Sequence, residues 1–199
     1  MGNNALDSRR AIFAISGTQG AGKTTVSSIL ARRFERGVHV SADTLQKMIL
    51  SGGEWPVASQ TNANTDLEGE AATQLGLRLH NMCLLARSFY DAGFTVVLDD
   101  IIVGSRMQHL LDEFAGIDFM FVMLTPSLET VRDRERRRGT QLWREWEWLT
   151  TSIAETTPRI GLWLDSTTQS AEQTVDEIMR RAWEEAMVHP TAVVAKGRA

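Results

Sequence analysis

Eight residues near the start of the chain restrict what it can fold into more than any other stretch. Gly17-Thr-Gln-Gly-Ala-Gly-Lys23-Thr24 fits the pattern G-x-x-x-x-G-K-[ST] without a mismatch. An apolar run at 11–16 precedes it, and Val26, Ile29, Leu30 and Phe34 follow it at helical spacing. This reads as a buried strand, a tight turn and a helix. Glycines let the turn curl until successive backbone N–H groups face inward and bind phosphate oxygens. The helix that opens there adds its positive N-terminal end. Lys23 is then a point charge for β- and γ-phosphates, and the Thr24 hydroxyl a magnesium ligand. Gly17, Thr18, Gln19, Gly20, Ala21, Gly22, Lys23, Thr24 and Thr25 are therefore expected to bind ATP.

The rest of the chain alternates strand-like and helix-like segments. Short apolar runs at 38–40, 94–99, 118–124 and 161–165 read as further strands. Helices are expected from Asp43 to Gly52-Gly53, and over 71–91, 107–114, 128–138, 140–156 and 171–187. A polar loop at 54–69 and a frayed tail at 190–199 complete the chain. The strands are apolar throughout, as expected of a parallel sheet covered on both faces. The expectation is an α/β fold of one domain, 1–199, with a five-stranded parallel sheet flanked by helices. A helical lid would span about 128–158.

Composition narrows the function classes. With 43% hydrophobic and 23% charged residues among 199, the chain has the make-up of a globular domain. Net charge is -4, which argues against a nucleic-acid binder, since a phosphate backbone needs a basic stripe. No apolar run approaches the roughly 20 residues that span a bilayer, and residues 1–10 lack the apolar core of a signal peptide. One cysteine, Cys83, permits no internal disulfide and suits a reducing cytoplasm. It lies among apolar helix positions and is expected to pack inertly. His39, His80, His109 and His189 have no zinc-ligand spacing.

Strands of an open parallel sheet deliver side chains to ligands at their carboxyl ends. Asp99 and Asp100 end one apolar strand, where a carboxylate would hold magnesium; Asp99, directly after the run, fits better. Asp43 follows the second strand. It suits a general base that takes a proton from an attacking hydroxyl, and equally a helix N-cap. Arg132, Arg134, Arg136, Arg137 and Arg138 crowd one helix end. Arg132 is expected on ATP and Arg136 on the transferring phosphoryl group, whereas a solvated helix end explains the others. Trp55, Trp143 and Trp148, with Asp43, are candidates for an aromatic acceptor site; Trp146 joins Leu142, Leu149 and Ile153 in a core stripe.

With these residues in place the chain resembles P-loop small-molecule kinases of the nucleoside-monophosphate-kinase-like type. Within them it is most similar to the chloramphenicol phosphotransferase-like family. The resemblance lies in 17–25, in Ala42-Asp43-Thr-Leu45, in 93–104 and in Leu164-Asp-Ser-Thr167. It implies a P-loop NTPase fold with ATP- and magnesium-dependent transfer of the γ-phosphate to a hydroxyl of a small molecule, an antibiotic being one acceptor. It also implies Asp43 as general base and Ser166 and Thr167 near the adenine. A homodimer is compatible with the sequence. Two other readings remain: a nucleoside, polynucleotide-end or sugar-nucleotide kinase, and a non-catalytic ATP-binding switch.

Overall fold

The computed structural model describes residues 9–55, 69–139, 153, 155 and 157–189. The expected helix at 140–156, with Trp143 and Trp148, therefore lies almost wholly outside the described residues, as do most of the 54–69 loop and the 190–199 tail.

Five strands alternate with six helices in the described residues. They are β1 (Ile12–Gly17), α1 (Lys23–Ala31), β2 (Gly37–Ser41), α2 (Ala42–Gln46), α3 (Glu70–Asp91) and β3 (Thr95–Asp99). There follow α4 (Ser105–Glu113), β4 (Phe119–Leu124), α5 (Leu128–Arg138), β5 (Leu162–Leu164) and α6 (Ala171–Arg181). The strands form one sheet in the order β2-β3-β1-β4-β5, and every pairing is parallel. This is the P-loop NTPase fold. The five strands and their parallel order agree with the sequence.

Both faces of the sheet are buried, and the period-2 alternation of strand side chains divides them. Ile12 and Ala14 of β1 join Val96 and Leu98 of β3 under α3 and α4, packed on Leu79, Met82, Cys83, Met107 and Leu110. Phe13, Ile15 and Val97 point the other way, onto Val26 and Leu30 of α1 and Val175 and Ile178 of α6. From β1 the chain crosses to β2 and β3 on one side, and later to β4 and β5 on the other. The order thus reverses at β1, the position where open α/β sheets bind ligands.

Two helices depart from the sequence reading. α2 stops at Gln46 instead of running to Gly52, and turns with i→i+3 bonds follow, Met48 to Leu45 and Ile49 to Gln46. Met48 and Leu50 are exposed, so the segment has no apolar face to hold a longer helix to the core. α6 begins with a capping box between Ser170 and Gln173 but becomes a π-helical turn over Ala182–Ala186. Beyond it Val188 donates to the Phe119 carbonyl, and Met187 pairs with Met120 of β4. No helix among the described residues is long and apolar enough to cross a membrane.

Candidate functional site

The turn between β1 and α1 is shaped by close approach. Gly17 has φ 148°, and a Cβ there would lie 2.7 Å from the Leu124 carbonyl oxygen. At Gly20 a Cβ would meet Val131 of α5 at 2.8 Å, so α5 packs directly on the loop. Gly22 stands at the N-cap of α1 and provides no side-chain cap, leaving the first helical N–H groups to a ligand. Lys23 folds back over the loop and donates to the Thr18 carbonyl at 2.9 Å. Burial lowers the Lys23 pKa, and Arg78 adds to that, against the opposing pull of Asp99, Asp100 and Asp43. Lys23 thus lies within electrostatic reach of four charged side chains, from α2, α3 and the end of β3.

The two adjacent carboxylates at that end face different partners. Asp99 Oδ2 accepts from the Thr24 hydroxyl at 2.6 Å, and Oδ1 meets His39 Nε2 at 3.0 Å. Burial alone would raise the Asp99 pKa, but hydrogen bonds from His39, Thr24 and Ser41 outweigh it and hold it below the ordinary value. Asp100 turns away toward α3. Its Oδ1 accepts from Arg78 at 2.7 Å and from the Ile101 N–H. A metal role for Asp100, expected alongside Asp99, therefore competes with a buried ion pair. Thr24 and Asp99 offer the oxygen donors a magnesium ion takes, with phosphate and water to complete its shell. Among the described residues no cluster of three or more His, Cys, Asp or Glu could hold a metal on its own.

Asp43 is the second residue of α2, past the cap position held by Ser41, so it is not the N-cap. It is exposed at the same sheet edge as Lys23 and Asp99. The arginine that touches the loop is Arg134. It donates to the Ala21 carbonyl at 2.9 Å and to the Ser166 carbonyl at 3.0 Å. Arg136, expected at the transferring phosphoryl group, is 77% exposed and pairs with Asp133. The helix period puts 134 toward the loop and 136 toward solvent. Arg132 is half-buried on the same helix. Ser166 is buried in the loop after β5, and Thr167 accepts from the Ser127 N–H at 2.8 Å, which joins that loop to the start of α5. Trp55, about half exposed, follows Glu54, whose backbone is held by Gln46 and Gln74.

Arg78 and His39 escaped the sequence reading. Arg78 stands in the buried stripe of α3, with Leu75, Leu79 and Met82, and a charge at a core-facing period was its one legible signal. His39 carried none, because its partner Asp99 lies 60 residues away.

A protein-family model described as an AAA domain matches residues 14–152. Among curated proteins none matches this sequence. Solved structures do resemble it in fold. An unliganded sugar kinase from Janibacter sp. HTCC2649 is 18% identical with a TM-score of 0.60, covering 86% of this chain and 94% of that one. The Mycobacterium tuberculosis APS kinase CysC, in complex with AMPPNP and APS, is 20% identical with a TM-score of 0.57, covering 86% and 96%. The Deinococcus radiodurans tunicamycin resistance protein is 17% identical with a TM-score of 0.59, covering 90% and 99%.

Proposed function

Since this chain belongs to the AAA-domain family, whose model matches more than half of it, we propose that it is an ATP-dependent phosphotransferase acting on a hydroxyl of a small molecule. The observation that carries this is the Thr24–Asp99 contact of 2.6 Å, beside Lys23 and within reach of Asp43. A nucleotide-binding switch needs the loop, but it has no use for a further, exposed carboxylate, Asp43, in the electrostatic field of the lysine.

Each residue has a task in this reading. The backbone of 17–22 and the start of α1 bind the phosphates, and Lys23 exchanges the Thr18 carbonyl for phosphate oxygens. Thr24 and Asp99 would hold magnesium, which supplies charge neutralisation on the β- and γ-oxygens when bound. Asp43 takes the proton of the acceptor hydroxyl as that oxygen attacks the γ-phosphorus, while the bond from that phosphorus to the β,γ-bridging oxygen breaks and ADP leaves. Arg134 fixes the loop and the segment carrying Ser166 and Thr167, next to which the adenine would lie. Trp55 would line the acceptor side.

The resemblance to chloramphenicol phosphotransferase-like enzymes makes a hydroxyl-bearing antibiotic one acceptor to test, and the sugar kinase and tunicamycin resistance protein widen the set. The deciding experiment measures ADP release from Mg-ATP against antibiotics, sugars, sugar acids and nucleosides, with Lys23→Ala as control. Acceptor-dependent ADP release that Lys23→Ala abolishes is expected. ATP binding with no acceptor-dependent release across the panel would favour the switch instead.

A further inference from the structure

The carboxylate that ends β3 is held from two sides, by α1 and by β2. β2 pairs with β3 in the register Val38 to Val96, His39 to Val97 and Ser41 to Asp99. Val38 and Val40 pack on the α3 face of the sheet. Strand alternation therefore sends His39 and Ser41 to the α1 face, where Thr24 stands. His39 Nε2 meets Asp99 Oδ1 at 3.0 Å, and the Thr24 hydroxyl donates to Oδ2 at 2.6 Å. The Ser41 side chain adds a further hydrogen bond. The His39 side chain is 20% exposed and that of Asp99 only 5%.

These contacts restrict the carboxylate in different ways. The terminal torsion of an aspartate is broad, so a carboxylate held at one oxygen can still rotate. Held at both oxygens, its plane is fixed. Against burial, which would raise its pKa, these bonds keep Asp99 below the ordinary value, so it is ionised at neutral pH. An ionised carboxylate only accepts, which assigns the proton to His39 Nε2. The Thr24 oxygen keeps lone pairs for a cation while its proton stays on Oδ2. His39 holds the other oxygen, and it comes from an edge strand that has no part in the phosphate loop. Removing it would take a donor from a buried, charged oxygen.

We propose that His39 is a positioning residue of the magnesium site, which holds Oδ1 of Asp99 so that Oδ2 stays turned to Thr24. The inference rests on reading Thr24 and Asp99 as the magnesium holders of a kinase. A neutral donor is all that the task needs. Gln, whose Nε2 can reach the same place, should therefore replace His39, whereas Leu, which has no donor, should not.

The test uses the full chain and a β,γ-imido ATP analogue, whose affinity is measured in EDTA and in saturating magnesium. In the wild type magnesium should tighten binding tenfold or more. Groups that orient a metal's ligands are worth ~10–100-fold in metal affinity, so His39→Leu should lower this enhancement by about tenfold. His39→Gln should keep it within threefold of wild type, and affinity in EDTA should change less than threefold in either variant. Should His39→Leu not fold, His39→Asn, whose amide stops short of Asp99, carries the same expectation. A histidine that only supported the fold would lower the melting temperature and leave the magnesium enhancement as it was. That result, or an equal loss in the Gln and Leu variants, would overturn the proposal and leave the kinase reading standing. No enhancement in the wild type would overturn the magnesium holders and this proposal together. A His39-dependent enhancement in a protein that transfers no phosphoryl group would sink the kinase reading and leave this one standing.

Discussion

Asp43 sits where a carboxylate can serve chemistry without serving the helix. Ser41 holds the cap position of α2, so an Asp43→Asn change removes ionisation and little else. General-base assistance contributes about 10²–10⁴-fold, and turnover of Asp43→Asn should fall by about that factor once an acceptor is in hand. ATP affinity and melting temperature should stay near wild type, because the base touches neither nucleotide nor core. A wild-type rate would dismiss the assignment. Cys83 is the opposite case, a group whose environment silences it. Burial pushes its thiol up to about 12, with Glu113 contributing. A thiol reacts as thiolate, so native Cys83 should resist iodoacetamide at pH 8.5 and react readily once urea unfolds the chain. The sign for stability follows. Below the ordinary thiol value of roughly 8.5 the contribution is complete, and it drains away as pH rises toward the folded value. Rapid labelling of the native protein would show that the α3 face opens.

α5 works as a strap across the ligand edge. Val131 and Glu135 press on the loop at Gly20, and Arg134 ties Ala21 to Ser166. Two bonds from a charged donor to main-chain carbonyls hold elements about 30 and 110 residues distant in sequence. A hydrogen bond to a charged group contributes about 1.5–3 kcal/mol, and half-burial places Arg134 toward the lower end of that range. Arg134→Ala should therefore lower the melting temperature by a few degrees and weaken Mg-ATP binding, since the loop loses its brace. Arg136→Ala, on the solvent side, should stay within about 0.5 kcal/mol of wild type. Calorimetry of the two variants with and without nucleotide checks the pair. Equal effects would mean that helix charge, and not these two contacts, is what matters.

At the scale of the molecule, one ligand should be felt by the whole sheet, because the phosphate loop joins β1 at its centre to α1. Mg-ATP at about 100 times its Kd should add roughly 2.7 kcal/mol to folding stability. Lys23→Ala, folded on its own, should lose most of that thermal shift. No shift with either Mg-ATP or Mg-GTP in the wild type would reject nucleotide binding. What the sequence by itself determined is what depends on neighbours along the chain. The glycine pattern at 17–24 required a strand before it and a helix after it, and the apolar runs required a sheet buried on both faces. Asp99 was legible as a candidate because it ends an apolar strand, and Asp43 because it stands two residues beyond the end of another. The tertiary structure decided everything that depends on distant partners. Asp99 and Asp100 are chemically alike and adjacent, and only the packed structure gives them different partners, Thr24 for one and Arg78 for the other. Five arginines share one helix end, and only the packing of α5 on the loop selects Arg134. The Gln46 side-chain amide is captured by Glu54 and by Gln74, 28 residues away on α3. Side-chain periodicity reports which face is buried, but a hydrogen bond between residues tens of positions apart leaves no local trace, so those choices emerge only when the elements pack.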